Sequence, residues 1–229
     1  MPLPITDNEK KRMTYQVFSL FTQYGFDGIS MDEVAKRIKL SKATLYKYIK
    51  SKENIVREMV NELIKHMDAV NFTADNGIEG VLESISLLYF KAVIMAAHIS
   101  PQFLSDLQDK FPDIYKEYIL ALESMQKRFE DFYEQAAKKG YCIEISISLV
   151  GEQLKLMLPS IINTDYIQKH KTTLPDVIMD YYRLLLHQLI SEKYKPQNGQ
   201  EDRYLAVQEL IEILNSRFLT FQNIEDNNE

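Results

Sequence analysis

Residues 30–54 of the chain read SMDEVAKRIKLSKATLYKYIKSKEN. This stretch predicts two short helices joined by a tight turn, because each helix has its own start signal. Ser30 and Glu33 have the spacing of a capping box, and Ser41 stands directly before the second helical segment. Residues 36–52 carry seven basic side chains and no acidic one. A compact positive helix pair is typical of a module that docks on a phosphate backbone and inserts one helix into the major groove.

The absence of acidic residues from this window decides between two interpretations. A basic helical segment is more often a solvated face than a nucleic-acid interface, and a Tyr-x-Tyr pair is more often half-buried packing. A solvated face, however, normally mixes charges of both signs. Two capped helices at this separation, with no acid between residues 36 and 52, therefore favour DNA binding.

The composition predicts an all-α protein of one or two domains. The chain has 229 residues, of which 45% are hydrophobic and 26% charged, with only seven glycines, seven prolines and little strand-like alternation. The single cysteine, Cys142, excludes an internal disulfide and a thiolate metal cluster, so a reducing cytoplasm is the expected location. The first residues lack a signal-peptide pattern, and we expect no membrane partner.

Charge is divided unevenly along the chain. Residues 1–60 hold 11 Lys and Arg against 7 Asp and Glu, whereas the remainder holds 16 against 26. A basic N-terminal part on an acidic body confines contact with nucleic acid to the N-terminal part and favours correct orientation on approach.

Hydrophobic periodicity and capping signals predict helices along most of the sequence. The expected ranges are 8–24, the pair within 30–49, then 51–70, 78–98, 102–108, 113–139, 145–162, 175–193 and 201–221. We expect a helix-turn-helix DNA-binding domain at residues 1–52 and a larger helical bundle at residues 53–229 for dimerisation and effector binding.

Four short motifs follow one another in the first quarter of the chain: GFDGIS at 25–30, LSK at 40–42, YKY at 46–48 and KSKE at 50–53. Their order resembles the tetracycline-repressor (TetR) family of bacterial transcription regulators, strongly over residues 7–60. Two positions depart from the family pattern. Lys39 replaces the usual turn glycine and must adopt a left-handed conformation at a cost of about 1 kcal/mol. Ala43 replaces a glycine that often opens the recognition helix.

The second helix of the pair is the expected recognition helix, and its first turn enters the groove. Lys42 can donate to guanine O6 and N7, Thr44 can bind a base edge or a phosphate, and Ala43 can touch a thymine methyl. The family resemblance implies that the two tyrosines lie near the sugar-phosphate backbone and that Lys52 grips a phosphate. The expected DNA-binding residues are Ser30, Ser41, Lys42, Ala43, Thr44, Tyr46, Lys47, Tyr48 and Lys52.

The resemblance also implies a ligand pocket in the C-terminal helices. Aromatic and methionine residues at helical spacing are more often core than cavity lining, but together they favour an apolar or aromatic effector. The candidate lining residues are Phe90, Met95, Phe103, Tyr115, Tyr118, Leu122, Phe129 and Met157. The alternative is a DNA-binding protein without an effector, which acts by site positioning or through a protein partner. We expect no metal, cofactor or catalytic residue, because the sequence holds no ligand spacing and no nucleophile, acid–base or phosphate-binding motif.

A homodimer is expected, because two heads related by a twofold axis can bind a palindromic operator. The helices at 145–162 and 175–193 carry leucine-rich faces suited to a four-helix interface. The segment 201–221 could extend that interface or cover the body, and the sequence does not decide between them.

Overall fold

The computed structural model describes residues 7–48 and 51–195, and over these ranges it contains ten α-helices, one 3-10 helix and no strand. The all-α prediction is confirmed. The helix predicted at 201–221 lies outside the described residues. The helices are α1 (Asp7–Tyr24), α2 (Met31–Arg37), α3 (Lys42–Tyr48), α4 (Lys52–Asp68), α5 (Gly77–His98), α6 (Pro101–Lys110), α7 (Pro112–Lys138), α8 (Ile147–Ile161), α9 (Thr164–His170) and α10 (Leu174–Leu189), followed by the 3-10 helix Glu192–Tyr194.

The chain divides into two compact units. The first unit contains the chain up to Ala69 together with His98–Glu123, and the second contains Val70–Ala97 and the chain from Ser124 onwards. The first unit therefore extends past residue 52, where we expected the DNA-binding domain to end, because α1 packs against both α4 and α6. The functional division at residue 52 stays a prediction.

The core of the first unit is built around α1. Val17 and Phe21 are fully buried, as expected from their helical spacing. Phe103 of α6 lies edge-on to Phe18, with ring centroids 5.9 Å apart, and tilted against Phe26 at 5.2 Å. Aromatic contacts of this kind add specific geometry to apolar burial. They fix α6 on the same core as the helix-turn-helix.

Turn and cap residues determine where the N-terminal helices begin and end. Gly25 has a φ of +73°, and Lys39 has a φ of +57°, so the predicted left-handed conformation of Lys39 is confirmed. The hydroxyl of Ser30 accepts a hydrogen bond from the amide of Glu33 at 3.2 Å, and the Ser51 hydroxyl accepts one from the amide of Asn54 at 3.2 Å. These bonds satisfy amides that the first helical turn leaves without a partner.

The core of the second unit is formed by α5, α8, α10 and the later part of α7. Tyr89 and Tyr182 are fully buried, with ring centroids 5.3 Å apart. The Tyr89 hydroxyl donates to the carbonyl of Ile178 at 2.7 Å, and the Tyr182 hydroxyl is hydrogen-bonded to Ser86. The segment Gly77–Ala97 is long and apolar enough to cross a membrane, but many of its residues are buried in this core, as in the core helix of a globular unit.

Two features of the second unit differ from the sequence prediction. The helix predicted at 175–193 ends at Leu189, because Ile190 is extended and forms an isolated antiparallel bridge with Cys142. Helix α9 was not predicted, since its seven residues include no buried one and so carry no apolar stripe. Asn163 caps its start by accepting from the amide of Tyr166, and Lys171 ends it in a left-handed conformation.

Candidate nucleic-acid interface

The first turn of α3 is held by its own hydroxyls. The Ser41 Oγ accepts a hydrogen bond from the amide of Thr44 at 3.0 Å and lies 2.7 Å from the Thr44 Oγ1. Ser41 is therefore the cap that the sequence predicted, and its hydroxyl is engaged within the helix. Leu45 is fully buried and anchors α3, whereas Ala43 is exposed. This arrangement presents the first turn of α3 to solvent.

Lys42 does not extend freely from that turn. Its ammonium lies 2.6 Å from the Asp32 Oδ1 on α2, and both side chains are more than half exposed. The hydrogen bond and the charge of Asp32 raise the pKa of Lys42, so the ammonium remains charged. The expected guanine-reading residue is therefore held in an ion pair between two helices.

Arg37, the arginine of the acid-free window, is also engaged. Its guanidinium donates to the Glu33 Oε1 at 2.9 Å and to the Tyr24 hydroxyl at 2.9 Å, and lies 4.6 Å from the centroid of the Tyr24 ring. These contacts fasten α2 to α1. The pKa of Arg37 is raised, mainly by the hydrogen bond to Glu33. Counting charges along the sequence could not reveal that this cation is used for packing.

The two tyrosines of α3 occupy different environments. Tyr46 is exposed, whereas Tyr48 is partly buried. The ammonium of Lys47, whose side chain is exposed, lies 5.3 Å from the centroid of the Tyr48 ring, within the range of a cation–π contact. An amphipathic, solvent-facing group of this composition is chemically suited to a sugar-phosphate backbone.

Lys52 has a structural role that the sequence did not predict. Its ammonium donates to the carbonyl oxygens of Phe26 at 2.5 Å and Ile29 at 3.1 Å, and lies 5.6 Å from the Phe21 ring centroid. Burial lowers the pKa of Lys52. The side chain thus ties the start of α4 to the loop between α1 and α2. An ammonium has three donors, so two carbonyl bonds leave one for the phosphate contact that we predicted.

Helix α6 holds the same loop from another direction. The buried Asp106 carboxylate accepts from the amide of Phe26 at 2.5 Å and from the Gln102 amide group at 2.7 Å. Lys110 forms an ion pair with Asp27, which lowers the pKa of that carboxyl group. Sequence reasoning missed Asp106 and Lys110, because they lie about 80 residues after the loop and no local motif marks them.

The eight candidate pocket residues fall in both units. In the first unit, Phe103 and Tyr118 are buried, and Tyr115 and Leu122 are partly buried. In the second unit, Phe129 is buried, Phe90 and Met95 are partly buried, and Met157 is exposed. Burial raises the pKa of Tyr118 to about 12, so its hydroxyl is neutral at physiological pH. The exposure of Met157 on α8 favours an interface between chains over a pocket within one chain. The pocket assignment stays a prediction.

The leucines of α8 and α10 separate into two faces. Leu154, Leu158, Leu185 and Leu189 are buried in the second unit. Leu149, Leu156 and Leu184 are instead 70%, 71% and 59% exposed. The side-chain amide of Gln153 donates from Nε2 to the Gln188 Oε1 at 3.2 Å and links the two helices on their outer side. Three large leucines left in solvent on adjacent helices form a surface that favours association.

Residues 18–59, which include the capped pair α2–α3 and the start of α4, match the sequence model of bacterial regulatory proteins of the tetR family. These residues therefore form a DNA-binding domain of the TetR type. Proteins with this domain are transcriptional regulators, so the match supports a transcriptional regulator and gives no support to an enzyme.

Relatives of known description agree with this assignment. The chain is 21% identical over 141 residues, covering 57% of this chain and 72% of the relative, to the biofilm operon icaADBC negative transcriptional regulator IcaR of Staphylococcus aureus strain Newman. A TetR-family regulatory protein from Rhodococcus RHA1 has the same fold, with a TM-score of 0.58, 16% identity, and coverage of 82% of this chain and 100% of that chain. The ketosteroid transcriptional regulator KstR2 of Mycobacterium tuberculosis gives a TM-score of 0.55 at 13% identity, covering 82% and 98%.

Proposed function

We propose that this TetR-family regulator is a cytoplasmic homodimeric repressor that binds a palindromic operator through α3. The observation that carries the proposal is the exposed first turn of α3, in which Lys42, Ala43 and the helix N-terminus face solvent above the buried Leu45. That end of a recognition helix contacts base edges in helix-turn-helix proteins. Repression is supported by the similarity to IcaR, which is described as a negative regulator.

Dimer formation is supported by the outer face of α8 and α10. One recognition helix contacts only a few base pairs, so a twofold pair of heads is needed for useful affinity and specificity. The exposed side chains of Leu149, Leu156 and Leu184 supply an apolar surface whose burial between two copies would stabilise association by about 25 cal/mol for each Å². Light scattering of the purified protein should give about twice the chain mass of 26.8 kDa.

Release by a small apolar or aromatic ligand requires that the ligand bind more tightly to the DNA-free arrangement. Leu122 and Met95 are only partly buried, as expected for residues that can contact a ligand. A screen of apolar compounds, read by thermal stability and by operator affinity, tests this part. A compound that supports the proposal raises the melting temperature and weakens operator binding by a matching factor.

The second candidate function is an effector-free regulator that acts through site positioning or a protein partner. It is favoured by the tight packing of three candidate pocket residues, Phe103, Tyr118 and Phe129, which are buried among protein side chains. The substitution Leu122→Phe separates the two functions. If it changes operator affinity by about 1–3 kcal/mol in a folded protein, the ligand-controlled function is favoured. If neither the substitution nor any compound in the screen has an effect, the effector-free function replaces it.

A further inference from the structure

The ion pair between Asp32 and Lys42 joins the first turns of the two helices of the helix-turn-helix. Asp32 lies in the first turn of α2, and Lys42 is the first residue of α3. The Lys42 Nζ is 2.6 Å from the Asp32 Oδ1, which is a charge-assisted hydrogen bond. Both side chains are more than half exposed, at 59% and 65%, so neither is needed to fill the core. An exposed pair adds little to stability. This pair lies at the N-terminal end of α3, the end that contacts base edges in helix-turn-helix proteins, so its position points to a role in DNA recognition.

We propose that Asp32 is a positioning residue that orients the Lys42 ammonium for a guanine edge. The inference rests on the proposed binding of an operator through α3. A lysine side chain has four carbon atoms between its backbone and its ammonium, and fixing it costs conformational entropy when it binds. Asp32 orders the Lys42 side chain before DNA binds, so less of its conformational entropy is lost on binding.

The chemistry of the ammonium allows Asp32 and a guanine to be bound together. The group has three donors, and the Asp32 carboxylate uses one of them. The remaining two match the acceptors O6 and N7 that guanine presents in the major groove. The carboxylate has the opposite effect on a phosphate, since its negative charge repels the backbone. Asp32 therefore favours the bound state in which Lys42 meets a guanine and disfavours loose contact with phosphates.

This reasoning predicts effects of opposite sign on two kinds of DNA. The probes are duplexes selected from a randomised pool by the wild-type protein, and a poly(dA-dT) duplex as non-specific DNA that presents no guanine O6 and N7 edge. Asp32→Ala should weaken binding to the selected duplex by about twofold to fivefold, the range expected for an exposed charged pair. Binding to poly(dA-dT) should remain equal or become tighter. The selected duplexes should also lose their preference for guanine at one position of each half-site.

Three further variants make the test specific. Asp109→Ala removes one negative charge from an exposed position of α6 and should change binding to both duplexes in the same direction. Asp32→Glu keeps the carboxylate and should restore guanine preference. In a Lys42→Ala background, Asp32→Ala should no longer weaken binding to the selected duplex, because the side chain that it orients is absent.

The outcomes distinguish this inference from the proposed function. If the wild-type protein does not discriminate the selected duplex from poly(dA-dT), both are overturned. If it discriminates but Asp32→Ala behaves like Asp109→Ala, Asp32 acts only as bulk charge and the positioning role is wrong. The same conclusion follows if Asp32→Ala weakens binding equally with and without Lys42.

Discussion

Replacing Lys52 by methionine tests the structural role of its ammonium. Methionine keeps an unbranched apolar stem but has no donor, so the carbonyls of Phe26 and Ile29 lose the hydrogen bonds that now measure 2.5 and 3.1 Å. An unsatisfied buried acceptor costs about 1–3 kcal/mol, and the part-burial of this site lets water replace some of the loss. Removing the charge also recovers part of the desolvation cost that lowers the pKa of Lys52.

The net result of these terms is a loss of about 1–2 kcal/mol in the free energy of unfolding. The assay is urea denaturation followed by circular dichroism, with Lys65→Met as the matched control on the same helix. Lys65 is exposed and forms an exposed ion pair with Glu62 three residues earlier, so the control should change stability by less than about 0.5 kcal/mol. DNA affinity should fall for every duplex, with a salt dependence reduced by about one phosphate contact.

The reasoning is refuted if Lys52→Met is as stable as the wild type and the Lys65 control. In that case the two carbonyls are satisfied by water, and Lys52 acts only at the DNA. A stability loss without any loss of DNA affinity would instead remove Lys52 from the predicted phosphate contacts.

Three further predictions concern other parts of the chain. Gly25→Ala should lower the free energy of unfolding by about 1–3 kcal/mol, because its φ of +73° is strained for alanine and the new Cβ would lie 2.5 Å from the Asp106 carboxylate. The control Gly140→Ala has a φ of +75° but open space around the new Cβ, so it should lower the free energy of unfolding by only about 1 kcal/mol in the same urea titration. Burial raises the pKa of Cys142 to about 12, so a thiol reagent at pH 8 should label it only after unfolding, and rapid labelling of the native protein would contradict this. For the same reason, the stability that this thiol contributes should fall as the pH rises from 9.0 through about 12. Leu156→Glu should convert the proposed dimer to a monomer in light scattering while leaving the helical circular dichroism intact, since this leucine is 71% exposed in one chain. A dimer that persists in this variant would exclude this face as the interface.

The local architecture of the helix-turn-helix could be predicted from sequence, because its signals are local. Ser30 and Ser51 cap the helices that their positions indicated, and Lys39 takes the left-handed turn. These features depend on residues within three or four positions of one another, where hydrogen-bonding rules are strict.

The use of individual charges could not be predicted, because it depends on contacts distant in sequence. Lys52 reaches carbonyls 23 and 26 residues earlier, and Asp106 reaches an amide 80 residues earlier. The acid-free window identified a basic segment correctly, but it could not distinguish the engaged Arg37 from the exposed Lys47. For α8 and α10, the leucine content was evident from sequence, whereas only the packing separates the exposed Leu156 from the buried Leu158.

Selection of duplexes from a randomised pool, followed by sequencing, tests the central claim most directly. If a dimer binds through two copies of α3, the enriched sequences should contain inverted half-sites whose centres lie about one helical turn, or a multiple of it, apart. Lys42→Ala should relax the preference at one position within each half-site. Enrichment of a single asymmetric site, or no enrichment above an unselected pool, would contradict the account.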